Sequence, residues 1–189
     1  MLSRPITTTC SLLLLSSILL VAGCGEKDSS PATRQAADDG QMSRGRPGTA
    51  GSPAPDLELE RLDGGTLDLA SLRGKVVLVD FWDTWCPPCR AAMPQLQELS
   101  EEYDDRLVLV GVGLGREGRD RVASFVAEHG LTFEMVMADP RFEVVEAFGG
   151  ITNIPTTFLI GPDGVILQKW VGYNAKAVYE SGVRRALAI

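Results

Sequence analysis

The chain has 189 residues, which is enough for one folded domain and too short for a second enzyme-sized unit. Apolar residues make up 44% and charged residues 23%, so the composition excludes a collagen, a wholly disordered chain and a multi-span membrane protein. The net charge of -7 has the wrong sign for binding a phosphate backbone, and no nucleic-acid partner is expected.

Residues 1–23 are predicted to be a lipoprotein signal peptide. Their apolar run lies between Leu12 and Val21 and is shorter than the roughly 20 residues that a membrane-spanning helix needs. The run leads into Val21-Ala22-Gly23-Cys24, which resembles a bacterial lipobox. That resemblance implies cleavage before Cys24 and attachment of lipid to this cysteine. An uncleaved anchor and soluble export are the alternatives.

Residues 24–55 are predicted to be the lipidated cysteine followed by a flexible linker. Residues 25–55 include five Gly, four Pro, five Ala and four Ser, with no aromatic residue and no Val, Ile or Leu. Such a segment has little apolar surface to offset the entropy lost on ordering. The folded domain is therefore predicted over 56–189, where 21 acidic and 13 basic residues give a net charge of -8.

The domain begins with strand signals. Apolar and polar residues alternate over 57–62 and 66–69, on either side of Asp63-Gly64-Gly65, and this pattern predicts a β-hairpin. The run from Lys75 to Trp82 is almost continuously apolar, as is typical of a strand buried on both faces.

Helices and strands then alternate along the chain. Apolar residues at helical spacing predict helices over 88–103, over a segment that ends near Gly130, around 142–148 and over 174–187. Strands are predicted over 106–114, 132–137, 156–160 and 165–171, and the last two flank a Gly-Pro-Asp-Gly turn. This order predicts an α/β fold with a mixed central sheet between helices.

Cys86 and Cys89 follow the buried strand directly, at the point where a helix is predicted to begin. Two thiols separated by two residues can close a disulfide on one helical turn, and the first sulfur lies at the positive end of the helix dipole. Pro88 suits the first helical position, because its missing N–H would be unpaired there. With Pro87 also present and no His between the cysteines, we expect a more reducing couple than in a His-containing pair.

Residues 56–189 resemble the thioredoxin superfamily, specifically the TlpA/ResA-like membrane-tethered thiol-disulfide oxidoreductases. The matching motifs are Val79-Asp80-Phe81-Trp82, Trp85-Cys86-Pro87-Pro88-Cys89-Arg90, Pro94, Ile154-Pro155-Thr156-Thr157-Phe158 and Asp163-Gly164. The resemblance implies a thioredoxin-like fold in which segment 119–150 is an extra helix-and-strand insertion. It also implies Cys86 as the exposed nucleophile, Cys89 as the resolving thiol and a cis Pro155 opposite the disulfide, with the Ile154 backbone open to a substrate strand.

Other candidate site residues lie close to the cysteines. Asp80 falls inside an apolar strand, where an unpaired carboxylate is costly and normally protonated. The resemblance implies that Asp80 accepts the proton of Cys89, and a hydrogen-bonding role at the strand end is the alternative. Trp85 and Pro87 are expected to contact substrate. Asp83 stands where the family usually has a small residue, and solvation is its simplest interpretation.

The resemblance implies an enzyme that needs no cofactor besides the Cys86–Cys89 disulfide. Expected partners are disulfide-bearing exported proteins, apocytochrome c among them, and a membrane thiol carrier that re-reduces the pair. The domain is expected to face the periplasm or the cell exterior from a lipid anchor. A non-catalytic binding module and a copper chaperone remain alternatives. A zinc site is disfavoured because His129 is the one histidine, and a peroxidase because Asp83, not Thr, precedes Cys86 by three.

Overall fold

The computed structural model describes residues 46–188. The predicted signal peptide, Cys24 and the linker up to residue 45 lie outside the described residues. Within residues 46–188, no helix combines the length and the apolar character needed to cross a membrane.

A seven-stranded mixed sheet forms the centre of the domain, as the sequence predicted. Its order is β2-β1-β5-β4-β3-β6-β7, with β3, β4 and β5 parallel and the other neighbours antiparallel. The predicted hairpin is β1 paired with β2. The strands are β1 Glu58–Arg61, β2 Thr66–Asp68, β3 Val76–Trp82, β4 Leu107–Gly113, β5 Glu134–Met137, β6 Thr156–Ile160 and β7 Ile166–Val171.

Helices cover both faces of the sheet. They are α1 Pro87–Tyr103, α2 Arg119–Glu128, α3 Glu143–Ala147 and α4 Lys176–Leu187. Side chains of α1, α2 and α4 pack in one buried cluster, and α3 contributes to a second cluster on the opposite face. All seven residues of β3 are buried because the strand lies between these two clusters, which explains its continuous apolar sequence.

The folded part of the chain begins before the boundary predicted at residues 55 and 56. Ser52 and Ala54 are buried, and Pro53 forms a β-bridge with Val165. The backbone N–H of Ala54 donates to the Gly164 carbonyl at 2.9 Å. The small residues that argued for a flexible linker instead allow close backbone approach: a Cβ on Gly48 would lie 1.8 Å from the Phe148 carbonyl oxygen. The predicted linker is therefore corrected, since residues 46–55 pack on the domain.

Candidate active site

The cysteine pair lies where β3 gives way to α1. Cys86 is the residue that caps α1, with an extended backbone (φ -90°, ψ 103°). Pro87 and Pro88 occupy the first turn of α1, so the helix begins one residue earlier than predicted. Neither proline has an N–H, and the first turn therefore leaves fewer donors without a partner.

Cys86 and Cys89 form a disulfide, with their Cα atoms 5.3 Å apart. The backbone N–H of Cys89 points at the Cys86 Sγ, 3.2 Å away. In the reduced protein the same N–H and the positive end of the α1 dipole would favour a thiolate on Cys86. Cys89 has no exposed surface. The arrangement therefore makes Cys86 the sulfur that a substrate can reach.

Cys86 is less exposed than the sequence predicted. Only 2% of its surface is accessible, because side chains of its own loop and of residues 151–154 surround it. Cys86 nonetheless lines an open cleft of about 280 Å³. The residues that line this cleft are Trp85, Cys86, Pro87, Pro88, Leu114, Arg116, Ile151, Thr152, Asn153 and Ile154. A substrate would reach Cys86 through this cleft rather than across an open surface.

The loop that precedes β6 contributes residues 151–154 to the lining of the cleft. The peptide bond between Ile154 and Pro155 is cis, as the resemblance implies. The Ile154 carbonyl oxygen lies 3.8 Å from the Cys86 Sγ. Within the described residues, the Ile154 N–H has no hydrogen-bond partner. Pro155 is buried, and its carbonyl accepts from the Gly172 N–H at 2.8 Å. Ile154 thus presents backbone groups beside the disulfide.

Asp80 is a fully buried carboxylate on β3. Its Oδ1 accepts a hydrogen bond from Thr157 Oγ1 at 2.7 Å, while its Oδ2 has no partner among the described residues. Burial raises the pKa of Asp80 to about 7, against the lowering effect of the Thr157 hydrogen bond. Because side chains alternate along a strand, Asp80 shares its face with Leu78 and Trp82, which pack in the cluster that contains Cys89. Its proton-accepting role toward Cys89 stays a prediction.

Asp83 is fully buried, and its expected solvation is wrong. Its Oδ1 accepts from the Thr84 N–H at 2.7 Å, and its Oδ2 accepts from the Arg116 N–H at 3.0 Å. Thr84 Oγ1 donates in turn to Glu117 Oε2 at 2.5 Å. Asp83 thereby ties the loop before Cys86 to the loop that follows β4. No sequence pattern indicated this link, because its partner lies 33 residues away.

Trp85 and Arg116 both line the cleft and contact each other. Trp85 is 47% exposed, and the Arg116 Cζ lies 5.5 Å from the centre of a Trp85 ring. The sequence predicted Trp85 and Pro87 as substrate contacts, and both line the cleft beside Cys86. Arg116, which lies in the loop that follows β4, was not predicted from the sequence. Arg90, which follows the second cysteine, is exposed.

Within residues 46–188, no group of three or more His, Cys, Asp or Glu side chains is arranged to hold a metal ion. A disulfide at the junction of a central strand and a helix, facing a cis-proline loop, together with this mixed sheet, defines a thioredoxin-like thiol-disulfide oxidoreductase. The chain belongs to the AhpC/TSA family, whose model matches residues 50–169.

Two similar proteins are named as a thiol-disulfide oxidoreductase and as a thioredoxin-like protein. The chain is 37% identical over 131 residues to the thiol-disulfide oxidoreductase ResA of Halalkalibacterium halodurans, covering 69% of this chain and 73% of the relative. It is 35% identical over 132 residues to the thioredoxin-like protein YneN of Bacillus subtilis, covering 69% and 76%.

Solved structures of other proteins superpose on this chain. A thiol:disulfide interchange protein of the thioredoxin family from Chlorobium tepidum superposes with a TM-score of 0.66 at 32% identity, covering 74% of this chain and 98% of its own. StoA of Bacillus subtilis superposes with a TM-score of 0.59 at 27% identity, covering 68% and 98%.

Proposed function

We propose that this oxidoreductase reduces disulfides of exported proteins outside the cytoplasm. The Cys86 thiolate attacks one sulfur of a substrate disulfide, forms a mixed disulfide and releases the other sulfur as a thiolate. The Cys89 thiolate then attacks the Cys86 Sγ, which closes the intramolecular disulfide and releases the second substrate sulfur as a thiolate that water protonates. Two electrons pass to the substrate, and Asp80 takes up the proton that Cys89 loses. A membrane thiol carrier returns the pair to the dithiol.

The observation that carries the proposal is the difference between the two sulfurs. Cys86 lines a cleft that a substrate strand can enter, and Cys89 is sealed beneath it. One sulfur can therefore attack and the other can only resolve. The two prolines between the cysteines and the lack of a histidine there support the reducing direction, because nothing in that segment adds positive charge to stabilise the Cys86 thiolate of the reduced form.

The proposed place of action rests on the sequence of residues 1–24. A short apolar run ends in small residues and Cys24, a pattern that supports export and a lipid anchor. Exported proteins with paired cysteines, apocytochrome c among them, are the proposed substrates. Labelled fatty acid fed to cells is expected to appear in the full chain and to be lost from Cys24→Ser. Equal labelling of both chains would contradict the lipid anchor.

Insulin reduction in the presence of dithiothreitol tests the chemistry. Wild type is expected to accelerate it and Cys86→Ser to abolish the acceleration, whereas Cys89→Ser is expected to accumulate a mixed disulfide with substrate. Full activity in Cys86→Ser would overturn the proposal. The equilibrium reduction potential tests the direction: a value well below about -200 mV supports a reductase, and one near about -120 mV contradicts it.

A further inference from the structure

The cleft beside Cys86 has a single charged side chain among the described residues that line it, and this is Arg116. The other lining side chains are apolar or neutral. At about 280 Å³ the cleft is slightly smaller than typical small-ligand pockets, so it accommodates a short stretch of substrate chain rather than a folded surface. Any selection by charge inside the cleft therefore falls to Arg116.

Two contacts hold Arg116 in place. Its backbone N–H donates to the buried Asp83 Oδ2 at 3.0 Å, which fixes the loop to the segment that leads into Cys86. Its guanidinium lies against the exposed Trp85, 5.5 Å from the ring centre, at a separation typical of a cation–π contact. The buried Asp83 carboxylate therefore anchors the backbone that carries the cation, and Trp85 contacts the guanidinium itself.

The guanidinium is available to a ligand. Within residues 46–188, no acidic side chain lies within ion-pairing distance of Arg116. The neighbouring Glu117 carboxylate is engaged by Thr84 Oγ1. The domain as a whole carries a charge of -8 over residues 56–189, which disfavours acidic substrates at long range. A lone cation in the cleft that Cys86 lines works against that general repulsion.

We infer that Arg116 is a specificity-determining residue that selects substrates with an Asp or Glu side chain adjacent to the reactive cysteine. This inference rests on the proposed function and names its substrate class. A carboxylate entering the cleft would accept hydrogen bonds from the guanidinium fork while the neighbouring substrate sulfur meets Cys86. Because the ion pair would be partly solvated, the expected gain in rate is about threefold.

The test uses short peptides joined as symmetric disulfide dimers, so that either sulfur gives the same product. Three versions carry Glu, Gln or Lys next to the cysteine. Second-order rate constants are measured for oxidation of the reduced protein in wild type, Arg116→Gln and Arg116→Glu. Arg106→Glu is the matched control, because it makes the same charge change beyond the far end of α1, whose 17 residues span about 25 Å. The neutral 2-hydroxyethyl disulfide reports reactivity without peptide charge.

The ratio of the rate constants for two peptides is compared between each variant and wild type. The intrinsic reactivity of each peptide cancels in that comparison. The ratio of the Glu to the Gln rate is expected to fall about threefold in Arg116→Gln and about tenfold in Arg116→Glu, and to stay unchanged in Arg106→Glu. Sodium chloride at about 1 M is expected to remove most of the difference, because charges are then screened within about 3 Å.

An unchanged ratio in Arg116→Glu, or an equal fall in Arg106→Glu, would overturn the inference. In both cases reduction of 2-hydroxyethyl disulfide would proceed and the proposed function would stand. Failure of wild type to reduce 2-hydroxyethyl disulfide and all three peptides would instead contradict the proposed function, and the inference would fall with it.

Discussion

Thr157 Oγ1 donates a 2.7 Å hydrogen bond to Asp80 Oδ1 across the paired strands β3 and β6, in an interior that water does not reach. The two residues are direct partners in the antiparallel register. Tyr179 extends the group, with its hydroxyl 3.4 Å from Thr157 Oγ1. A single neutral donor does not compensate a carboxylate for its lost hydration, and Asp80 therefore keeps its proton up to about pH 7.

Asp80 is expected to make folding stability fall as pH rises from about 4 to 7. The unfolded chain releases this proton near pH 3.9 and the folded chain near pH 7, so the folded state binds more protons in between. Above pH 7, ionisation of the buried Asp80 lowers the free energy of unfolding by about 4 kcal/mol. Asp80→Asn is expected to remove that cost and to be more stable than wild type at pH 8. Urea unfolding at pH 4.5 and pH 8 measures the difference.

The exposed Asp63→Asn is the control for that experiment, because it removes a carboxylate at the surface by the same substitution. If Asp80→Asn were equally stabilising at both pH values, ionisation of Asp80 would not be the cause.

The resolving step is expected to depend on the same carboxylate. If Asp80 accepts the Cys89 proton, the rate at which Cys89 closes the disulfide should rise with pH through about 7. Asp80→Asn is expected to slow the step at least about tenfold and to abolish that rise. Rapid alkylation of the mixed disulfide at timed intervals, followed by mass spectrometry, measures the rate. An identical pH profile in the variant would assign Asp80 a structural role only.

Asp83→Ala is expected to lower the free energy of unfolding by about 1 to 3 kcal/mol, because it leaves the Thr84 and Arg116 N–H groups without their acceptor. The exposed Asp105→Ala is the matched control and is expected to change stability little. Amide hydrogen exchange at Arg116 is expected to become faster in Asp83→Ala. Unchanged exchange there would show that Asp83 does not hold this loop.

Gly48→Ala tests whether residues 46–55 belong to the folded domain. The new Cβ would lie 1.8 Å from the Phe148 carbonyl oxygen, at a φ of +71° that L side chains rarely adopt. Gly51→Ala is the matched control, with a φ of +86° and no atom within 4 Å of its Cβ. Gly51→Ala is expected to lower the free energy of unfolding by about 1 kcal/mol, and Gly48→Ala is expected to lower it clearly more. Urea unfolding of both variants measures the difference. Equal costs would contradict the packing of Gly48 on Phe148.

The sheet and the cysteine pair could be predicted because their signals are local. The alternation around Asp63-Gly64-Gly65, the apolar run of β3 and the spacing of Cys86 and Cys89 each lie within a few residues. Such patterns report the backbone conformation and the burial of the segment that contains them.

The remaining features depend on contacts between distant segments. Cys86 is nearly buried because residues 151–154 close over it, and Asp83 is buried because it binds the backbone of Arg116. Residues 46–55 lack the large apolar side chains that mark a core, yet they pack through backbone hydrogen bonds and small side chains. Local propensity and periodicity do not depend on residues that are distant in sequence, so they cannot predict these contacts.

The attachment of residues 51–53 to β7 has a consequence for self-association. β7 is one of the two outermost strands of the sheet, and an edge strand with unpaired N–H and C=O groups is a template for pairing with another chain. At Ile166 both groups are already occupied, since its N–H donates to Ser52 and its carbonyl accepts from Gly51. Pro53, the residue after Ser52, has no N–H that could pair with another chain. Removing the residues before 56 would leave the N–H and the carbonyl of Ile166 unpaired at this edge and is expected to make the protein more prone to aggregate.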